Sequence, residues 1–199
     1  MKKILLGSVL AFAVLSNAQA DDDKVFVGGN FGGGSGTIKI SSSNTNSTYT
    51  FTDSSDLSST DTKLYVGYGQ WYGFYQTGTL SPKTQYLKDL DYNAYGVGFL
   101  RRANFWALNT SVGDLVPEFD AELGYDSVTN SANNFDASGL FISVDVGAAF
   151  TLKAISGLAV TAGVGYDIHV VNDNTSTQQY DGSWNMTSLE AHAGVRYSF

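Results

Sequence analysis

The sequence has no cysteine and only 2 prolines among its 199 residues. Without cysteine the chain can form neither a disulfide nor a zinc site with thiolate ligands, so its stability must come from packing and hydrogen bonds. Basic residues are also scarce, with 11 lysines and arginines against 19 aspartates and glutamates. Nucleic-acid binding requires a basic surface, and we therefore expect no nucleic-acid partner.

Long apolar runs are rare as well, and the one that is present lies near the amino terminus, at residues 4–15. Lys2 and Lys3 precede this run, and Ala18 and Ala20 follow it as a small-x-small cleavage site. This order is typical of a secretory signal peptide, and the run is shorter than the roughly 18 residues of a membrane-spanning helix. We predict that residues 1–20 are cleaved and that residues 21–199 form the mature domain.

Glycine, tyrosine and phenylalanine are abundant, with 22, 12 and 12 residues, and this composition favours β-structure. Side chains alternate between an apolar and a polar face, as in a half-buried strand. Near the carboxy terminus, for example, Leu189 and Val195 share one face, whereas Glu190 and Arg196 share the other. The alternation predicts strands at 24–40, 63–71, 75–80, 92–101, 115–125, 140–152, 158–171 and 185–199.

The connections between these strands are of two kinds. Short turns are predicted at 71–75 and around Gly157, and long polar connections at 41–62, 81–89, 126–136 and 172–185. An up-and-down antiparallel barrel is the simplest topology in which short and long connections alternate. We therefore predict an all-β fold, an eight-stranded antiparallel barrel. Ten strands are the alternative, if 37–52 or 105–112 supplies an extra pair.

Alternating strands of this kind can form two sorts of barrel. A soluble barrel turns its apolar face inward, whereas a transmembrane barrel turns that face to lipid and its polar face to the lumen. Small and charged residues recur on the polar faces, which suits the narrow interior of eight strands. Aromatic residues gather near the strand ends, where a membrane barrel has its interfacial girdles. They are Trp71, Tyr72, Phe105, Trp106, Phe150, Tyr197 and Phe199 towards one end, and Tyr125, Tyr166, Tyr180 and Trp184 towards the other.

The chain resembles the small outer-membrane β-barrel proteins of Gram-negative bacteria, a group that includes the barrel domain of outer membrane protein A, outer membrane protein X and the opacity-type surface proteins. The signal peptide, the alternating strands and the terminal Arg196, Tyr197, Ser198 and Phe199 carry this resemblance. It implies a location in the cell outer membrane and contact with outer-membrane lipid and lipopolysaccharide. We also expect a monomer.

The resemblance further implies a signal for assembly. In that family a carboxy-terminal phenylalanine, preceded by apolar or aromatic residues at alternate positions, is recognised by the barrel-assembly machinery during biogenesis. Val195, Tyr197 and Phe199 match this arrangement.

Some members of the family are enzymes that act on lipid A or phospholipid. The lipid A deacylases have a His-x-Ser arrangement on one strand face, but here His169 is followed by two valines and His192 by alanine and glycine. A serine nucleophile needs a histidine within hydrogen-bond reach, and no loop serine is singled out as its partner. We therefore expect no enzymatic activity, no catalytic residue and no cofactor.

The polar faces of the strands would bring many ionisable side chains into one narrow lumen. They are Lys63, Glu118, Asp120, Glu122, Asp145, Asp167, His169, Glu190, His192 and Arg196. Like charges are unfavourable inside a protein unless they are paired, protonated or hydrated, so we interpret the set as a structural network of ion pairs and water. Arg196 and Glu118 are each three residues from the same end of their strands and are predicted to meet across the lumen.

A metal site is a further possibility for residues of this set. Asp167, His169 and His192 are of the residue types that bind metal ions. The two histidines, however, lie at different distances from the ends of their strands. We expect no metal.

The predicted function is that of a non-enzymatic integral outer-membrane β-barrel with a structural role or a surface-interaction role through extracellular loops, whose ligand is unknown. The alternative is a narrow channel or small-solute transporter with cation preference, because acids predominate in the predicted lumen. A soluble secreted barrel that binds a ligand is a third class. A plugged lumen would argue against the channel.

Overall fold

The computed structural model of the chain describes residues 24–44, 50–83, 88–130, 135–173 and 180–199. The predicted signal peptide at residues 1–20 lies outside these residues. No helix in the described part of the chain is long and apolar enough to cross a membrane.

Eight long antiparallel strands form a closed ring. In chain order the strands are β1 (Val25–Asn44), β2 (Thr50–Tyr68), β3 (Trp71–Pro82), β4 (Leu90–Arg102), the two-residue β5 (Leu108–Asn109), β6 (Gly113–Asn130), β7 (Phe135–Leu152), β8 (Leu158–Asp173) and β9 (Tyr180–Ser198). β4 pairs directly with β6, and β9 closes the ring on β1. The predicted all-β, eight-stranded up-and-down barrel is confirmed.

The pairing register gives the ring a fixed stagger. A path that starts at Val27 in β1 and moves to the paired residue of each successive strand returns to β1 at Thr37, ten residues further along. The intermediate residues are Val66, Gly73, Val97, Leu123, Ile142, Ile168 and Thr187. Strands staggered in this way tilt by about 40° from the barrel axis, so each residue rises by about 2.5 Å along that axis.

The two ends of the barrel differ in their connections. One end, called the turn end here, carries the turn at Gly69, the segments 103–112 and 153–157, and both Lys24 and Phe199. At the opposite end, called the loop end, the connections run through 45–49, 84–87, 131–134 and 174–179, which lie outside the described residues.

The strands reach further towards the loop end than predicted. Most of the polar tract 41–62, predicted as a connection, is strand: Ser41 pairs with Thr52, and Ser59 pairs with residues on both sides. Serine and threonine are common in polar connections, so composition alone does not distinguish this tract from a loop. In the barrel their backbone groups are satisfied by neighbouring strands, and threonine suits a pleated surface. Likewise, residues 126–130 belong to β6, and β9 begins at Tyr180.

The first tight turn also differs from its predicted position. It lies at Gly69 and Gln70 rather than at 71–75, and Trp71 is already the first residue of β3. Gly69 has a φ of +63°, which glycine adopts without steric penalty, and its N–H donates to the Lys24 carbonyl oxygen at 3.1 Å. The aromatic residues after the turn are therefore strand residues.

The ten-strand alternative is wrong. Within 37–52, the described residues 37–44 and 50–52 lengthen β1 and β2 instead of forming a separate pair. Residues 105–112 contribute the end of a 3-10 turn, Asn104–Trp106, and then β5, whose two residues pair with the start of β6 itself. This segment is an appendage of the turn end.

Side-chain exposure shows which face of the wall is outside. Phe31, Leu64 and Leu189 are 68%, 60% and 62% exposed, whereas Lys63 and Glu122 are only 7% and 3% exposed. The apolar faces thus cover the outside of the barrel, and the charged residues lie within it. This arrangement is the reverse of a soluble barrel and is the one expected of a transmembrane barrel.

Outward aromatic side chains lie near both edges of the apolar outer surface. Trp71 and Phe199 are exposed at the turn end, and Tyr125 and Tyr166 are exposed closer to the loop end. These positions agree with girdles at two membrane interfaces.

Two aromatic residues predicted for the girdles point inward instead. Tyr72 is buried in the lumen, and Trp184 packs against an internal apolar cluster. Closeness to a strand end predicts an interfacial position, but it does not determine the face on which a residue lies. The side chain of Tyr180 lies outside the described part of the structure.

Candidate functional site: the lumen and its apolar seal

The lumen is filled by inward side chains from all eight long strands. All ten residues that were predicted for the lumen point inward. Each of them is buried inside the barrel or lines its inner cavity. They are Lys63, Glu118, Asp120, Glu122, Asp145, Asp167, His169, Glu190, His192 and Arg196. They occupy the turn-end and central layers of the lumen.

The layer nearest the turn end is built on Arg196 and Glu118. Arg196 Nη1 donates to Glu118 Oε2 at 3.0 Å, and Nη2 donates to Oε1 at 2.5 Å. The predicted meeting of these residues is thus present, as a two-pronged contact of the kind that planar guanidinium and carboxylate groups favour. Arg102, which is not among the predicted lumen residues, places its Nε 3.3 Å from the same Oε1 atom. Glu118 therefore has two arginine partners.

Lys63 holds the next layer together. Its Nζ donates to Glu122 Oε1 at 2.9 Å and lies 4.0 Å from Asp145 Oδ2. The Tyr72 hydroxyl is 2.5 Å from Asp120 Oδ1 and 2.7 Å from Glu122 Oε1, and its single proton can serve one carboxylate at a time. A buried lysine and a phenol thus offset three carboxylates in one layer.

Neutral donors also contact carboxylates in this layer and in the next one towards the loop end. The hydroxyl of Ser188 donates to Glu190 at 2.9 Å, and that of Ser143 donates to Asp145 at 3.1 Å. In both cases the serine precedes the acid by two residues, so both side chains lie on the inner face of one strand. Gln76 Nε2 lies 3.4 Å from Asp167 Oδ2.

The two histidines have separate carboxylate partners. His169 Nδ1 lies 2.7 Å from Asp126 Oδ2 in a fully buried pair, and His192 Nδ1 lies 3.3 Å from Asp145 Oδ1. They are not brought together with Asp167 as metal ligands. Among the described residues, no cluster of three or more histidines, cysteines, aspartates or glutamates could hold a metal ion.

Inward glycines leave room for the largest side chains. A Cβ atom at Gly98 would collide with the ring of Tyr72, and one at Gly28 would collide with that of Tyr65. Eight strands enclose a space that side chains must fill without overlap. Some inward glycines are therefore matched to aromatic residues on other strands, and others, such as Gly165 beside Asp145 and Gly194 beside Asn30, are matched to polar side chains.

An apolar layer closes the lumen at the loop end, above these polar layers. Each of the eight long strands contributes one side chain, and each side chain is at most 2% exposed. We call this layer the apolar seal; it consists of Ile38, Leu57, Leu80, Leu90, Val128, Ala137, Val171 and Met186. Ile40 and Trp184 pack against the internal cluster that contains the seal.

The register shows that the seal is continuous around the ring. Ile38 pairs directly with Met186, Leu80 with Leu90, and Val128 with Ala137. The remaining neighbours in the seal are displaced by two residues from direct pairing, the diagonal relation in which side chains on one face still touch. A solute that follows the lumen must therefore cross a ring of packed apolar side chains.

The cavities are consistent with a lumen that is open at the turn end. A cavity of about 480 Å³ lies there, lined by Arg102, Lys153 and Arg196 among others. A smaller one of about 40 Å³ lies deeper, beside Lys63 and His192. The second volume holds little more than a water molecule.

Sequence reasoning missed several lumen residues. Asp61 and Asp126 are buried acids that fell within predicted polar connections, and Leu57 in the seal fell within the same kind of tract. A signal was present, because Ile38 and Ile40 continue the alternation of β1 and Leu57 is an isolated apolar residue among serines. To recognise this signal, the predicted strands must be extended beyond the segments in which their outward residues are apolar.

Comparison with known proteins gives structural matches alone. No protein-family model matches the chain, and no curated protein matches its sequence. Neisserial surface protein A has 15% identity, with 88% of this chain and 97% of that chain covered and a TM-score of 0.51. The outer membrane protein OprG from Pseudomonas aeruginosa has 9% identity, with 89% of this chain and 96% of that chain covered and a TM-score of 0.56.

At these identities the similarity shows the fold. It is the fold of small Gram-negative outer-membrane β-barrels, so the resemblance stated from the sequence is confirmed at that level. The expected outer-membrane location agrees with this fold and with the apolar outer wall.

Proposed function

We propose that this chain is a non-enzymatic outer-membrane protein, a closed barrel that presents extended strands and loops at the cell surface. The observation that carries the proposal is the apolar seal, because it blocks the lumen on the loop side of the polar network. Beneath the seal, paired side chains such as Arg196 and Glu118 tie non-adjacent strands together. An interior of this kind supports a rigid wall rather than a conduit.

The strands that rise beyond the seal support a role in surface contact. β2 begins at Thr50, but its pairing with β3 starts only at Leu57, so residues 50–56 project beyond β3 while still paired with β1. Lys39, Asp53 and Asp56 are exposed on this projecting hairpin. A hydrogen-bonded hairpin presents polar side chains in fixed positions, which suits recognition of a polar extracellular ligand.

The channel alternative is less well supported. Acidic side chains exceed basic ones in the lumen, which would favour cations if a path existed. Such a path would have to pass the seal, and Lys63 lies in the middle of the acidic layer with its Nζ 2.9 Å from Glu122. We therefore favour the closed barrel.

Planar-bilayer recording tests this choice. The purified protein, inserted at high copy number, should produce no conductance steps above those of the bare membrane. Cation-selective steps would overturn the closed barrel and favour the channel. Protease protection of the same samples checks insertion, so that an absence of conductance cannot be due to an absence of inserted protein.

Labelling of intact cells tests the proposed orientation. A cysteine at Lys39, exposed at the loop end, should react with a membrane-impermeant maleimide added outside. A cysteine at Lys153, exposed at the turn end, should react only after the outer membrane is opened. The opposite pattern would place the projecting hairpin in the periplasm and refute a surface role. The natural chain has no cysteine to interfere.

The proposed assembly signal can be tested independently. Val195, Tyr197 and Phe199 are all exposed on the outer wall, as recognition by an assembly partner requires. Phe199→Ala should reduce the fraction of folded barrel in cells while leaving refolding of the purified protein into vesicles intact. Leu189→Ala, a change on the same outer face, serves as the control. Equal effects of both changes would remove a specific role for Phe199.

A further inference from the structure

The apolar surface of the outer wall is taller on one side of the barrel than on the other. On β7 every outward residue is apolar over thirteen positions, at 140–152, and on β8 the outward residues of 158–170 are apolar except for Tyr166. These positions span about 30 Å along the barrel axis, the thickness of a bilayer's hydrocarbon. On β2 the outward apolar residues are limited to Leu64, Val66 and Tyr68, which span only about 10 Å.

Hydroxyl-bearing side chains continue the wall where the apolar residues stop. On β2 the outward residues beyond Leu64 include Thr62 and Thr60, and on β3 those beyond Tyr75 include Thr77 and Thr79. We call these four threonines the hydroxyl stripe. Ser35 on β1 and Asn93 on β4 flank it at the outer surface.

The stagger of the ring places the hydroxyl stripe at the depth of apolar residues on the opposite side. Ten residues of displacement in eight strand-to-strand steps correspond to a rise of about 1.25 residues per step. With this rise, Thr60 lies at the depth of Ile168 on β8, and Thr77 lies at the depth of Leu189 on β9. The stripe therefore stands within the loop-side half of the hydrocarbon layer that β7 and β8 define.

A tilt of the barrel would not remove this difference. Tilting moves both edges of the apolar surface in the same direction on a given side. On β2 and β3 the loop-side edge of the apolar surface lies closer to the turn end than it does on β8. The turn-side edge, at Tyr68 and Trp71, is not shifted in that direction relative to the turn-side edge at Leu158 on β8. The apolar surface is thus shorter on this side and not merely displaced.

We propose that the β1–β4 wall thins the outer leaflet locally, so that lipid headgroups and interfacial water descend to the hydroxyl stripe. The headgroup boundary then lies about 10 Å deeper along β2 and β3 than along β7 and β8. A bilayer adapts to a short apolar surface by thinning at modest free-energy cost. Threonine hydroxyls, unlike leucine side chains, can hydrogen-bond the ester groups and water of that boundary. The inference rests on the membrane location in the proposed function.

Spin labels at matched depths test the proposal. Single cysteines replace Thr60 and Thr77 on the short side, and Ile168 and Leu189 on the tall side. Each labelled protein is reconstituted in dioleoylphosphatidylcholine vesicles. Collision with oxygen, which concentrates in hydrocarbon, is compared with collision with a water-soluble nickel chelate. Labels at Leu64 and Val164, apolar on both sides and at similar depth, serve as the control pair.

The expected result is a nickel-to-oxygen collision ratio several-fold higher at Thr60 and Thr77 than at Ile168 and Leu189, with similar low ratios for the control pair. Equal ratios at all four test positions would overturn the local thinning while leaving the membrane location intact. High ratios at the control pair as well would overturn the membrane location itself. Loss of both collisions at Thr60 and Thr77 would mean that protein covers the stripe, which also refutes the proposal.

A second measurement varies the chain length of the lipids. Replacing Thr60, Thr62 and Thr77 by valine changes little in shape but makes the short side apolar. The natural protein should unfold at a higher temperature in short-chain than in long-chain phosphatidylcholine vesicles, and the triple variant should reverse or abolish that preference. A triple replacement by serine, which keeps the hydroxyls, should retain it. An unchanged preference in the valine variant would contradict the proposal.

Discussion

Arg196 on β9 and Glu118 on β6 form a two-pronged ion pair across the lumen, with Nη1–Oε2 and Nη2–Oε1 distances of 3.0 Å and 2.5 Å. β7 and β8 separate these strands in the ring, so the pair joins parts of the wall that share no backbone hydrogen bonds. Arg102 contacts the same carboxylate at 3.3 Å. The contact is therefore unequal: Glu118 has two cationic partners, whereas Arg196 depends on Glu118.

This inequality predicts unequal effects of substitution. Glu118→Leu leaves Arg196 buried without its partner and should lower the free energy of unfolding by about 3–5 kcal/mol. Arg196→Met leaves Glu118 paired with Arg102 and should cost less than half as much. Urea unfolding in lipid vesicles measures both, and the double variant tests whether the two losses add. Equal losses would contradict the compensating role of Arg102.

Lys63 offers a second test, since its Nζ lies 2.9 Å from Glu122 and 4.0 Å from Asp145. Lys63→Met should destabilise the barrel by about 3–5 kcal/mol, because it leaves the buried Glu122 carboxylate without a cationic partner. Adding Glu122→Gln should restore part of that loss. Lys39→Met, at an exposed position on β1, is the matched control and should change stability by no more than about 0.5 kcal/mol. Failure of Glu122→Gln to rescue would show that Lys63 acts mainly through packing.

The packing of glycine against aromatic rings predicts a strong effect of position. A methyl group at Gly98 would overlap the ring of Tyr72, so Gly98→Ala should cost about 1–3 kcal/mol through overpacking. At Gly73, on the outer face, the nearest atom to an added Cβ lies 3.8 Å away, and Gly73→Ala should be close to neutral. Heat-dependent mobility of the folded barrel on gels compares the two. Similar losses would mean that strand glycines matter for another reason.

The apolar seal predicts how a pore could be made. Leu80→Ala should lower stability by about 2–5 kcal/mol without producing conductance, because its neighbours still close the ring. Replacing Leu57, Leu80 and Leu90 together by serine should admit water and give conductance steps in planar bilayers. A folded triple variant that stays silent would show that another layer blocks the lumen. Three leucine-to-serine changes on the outer wall, at Leu64, Leu123 and Leu189, control for damage to the protein.

The sequence was sufficient for the architecture because alternation with a period of two determines both the strand and its face. Lys63, Glu122 and Arg196 could be assigned to one face because apolar neighbours on both sides fixed the alternation. Counting along the strands also predicted that Arg196 and Glu118 meet, although β6 begins at Gly113, so that Glu118 lies five residues from that strand's end and Arg196 two residues from the end of β9. The stagger itself depends on register, which arises from pairing between distant residues.

The features that could not be predicted lie where the outward face of a strand changes from apolar to polar. Beyond Leu64 on β2 the outward residues are polar, so strand and loop look alike in sequence, and the inward Leu57 and Asp61 cannot be recognised there. Tyr72 and Trp184 were placed outside because aromatic residues suit both an interface and a core. Only the closed ring, which sets the depth and direction of each side chain, separates these alternatives.

The seal also separates two tasks along the length of the chain. In the closed barrel proposed above, impermeability rests on eight side chains of the strands, none of which lies in the loop-end connections. The sequences of those connections can then change in length and character, by insertion, deletion or rapid substitution, without making the cell leaky. A barrel built in this way can diversify what it shows to its surroundings while the envelope that it crosses stays intact.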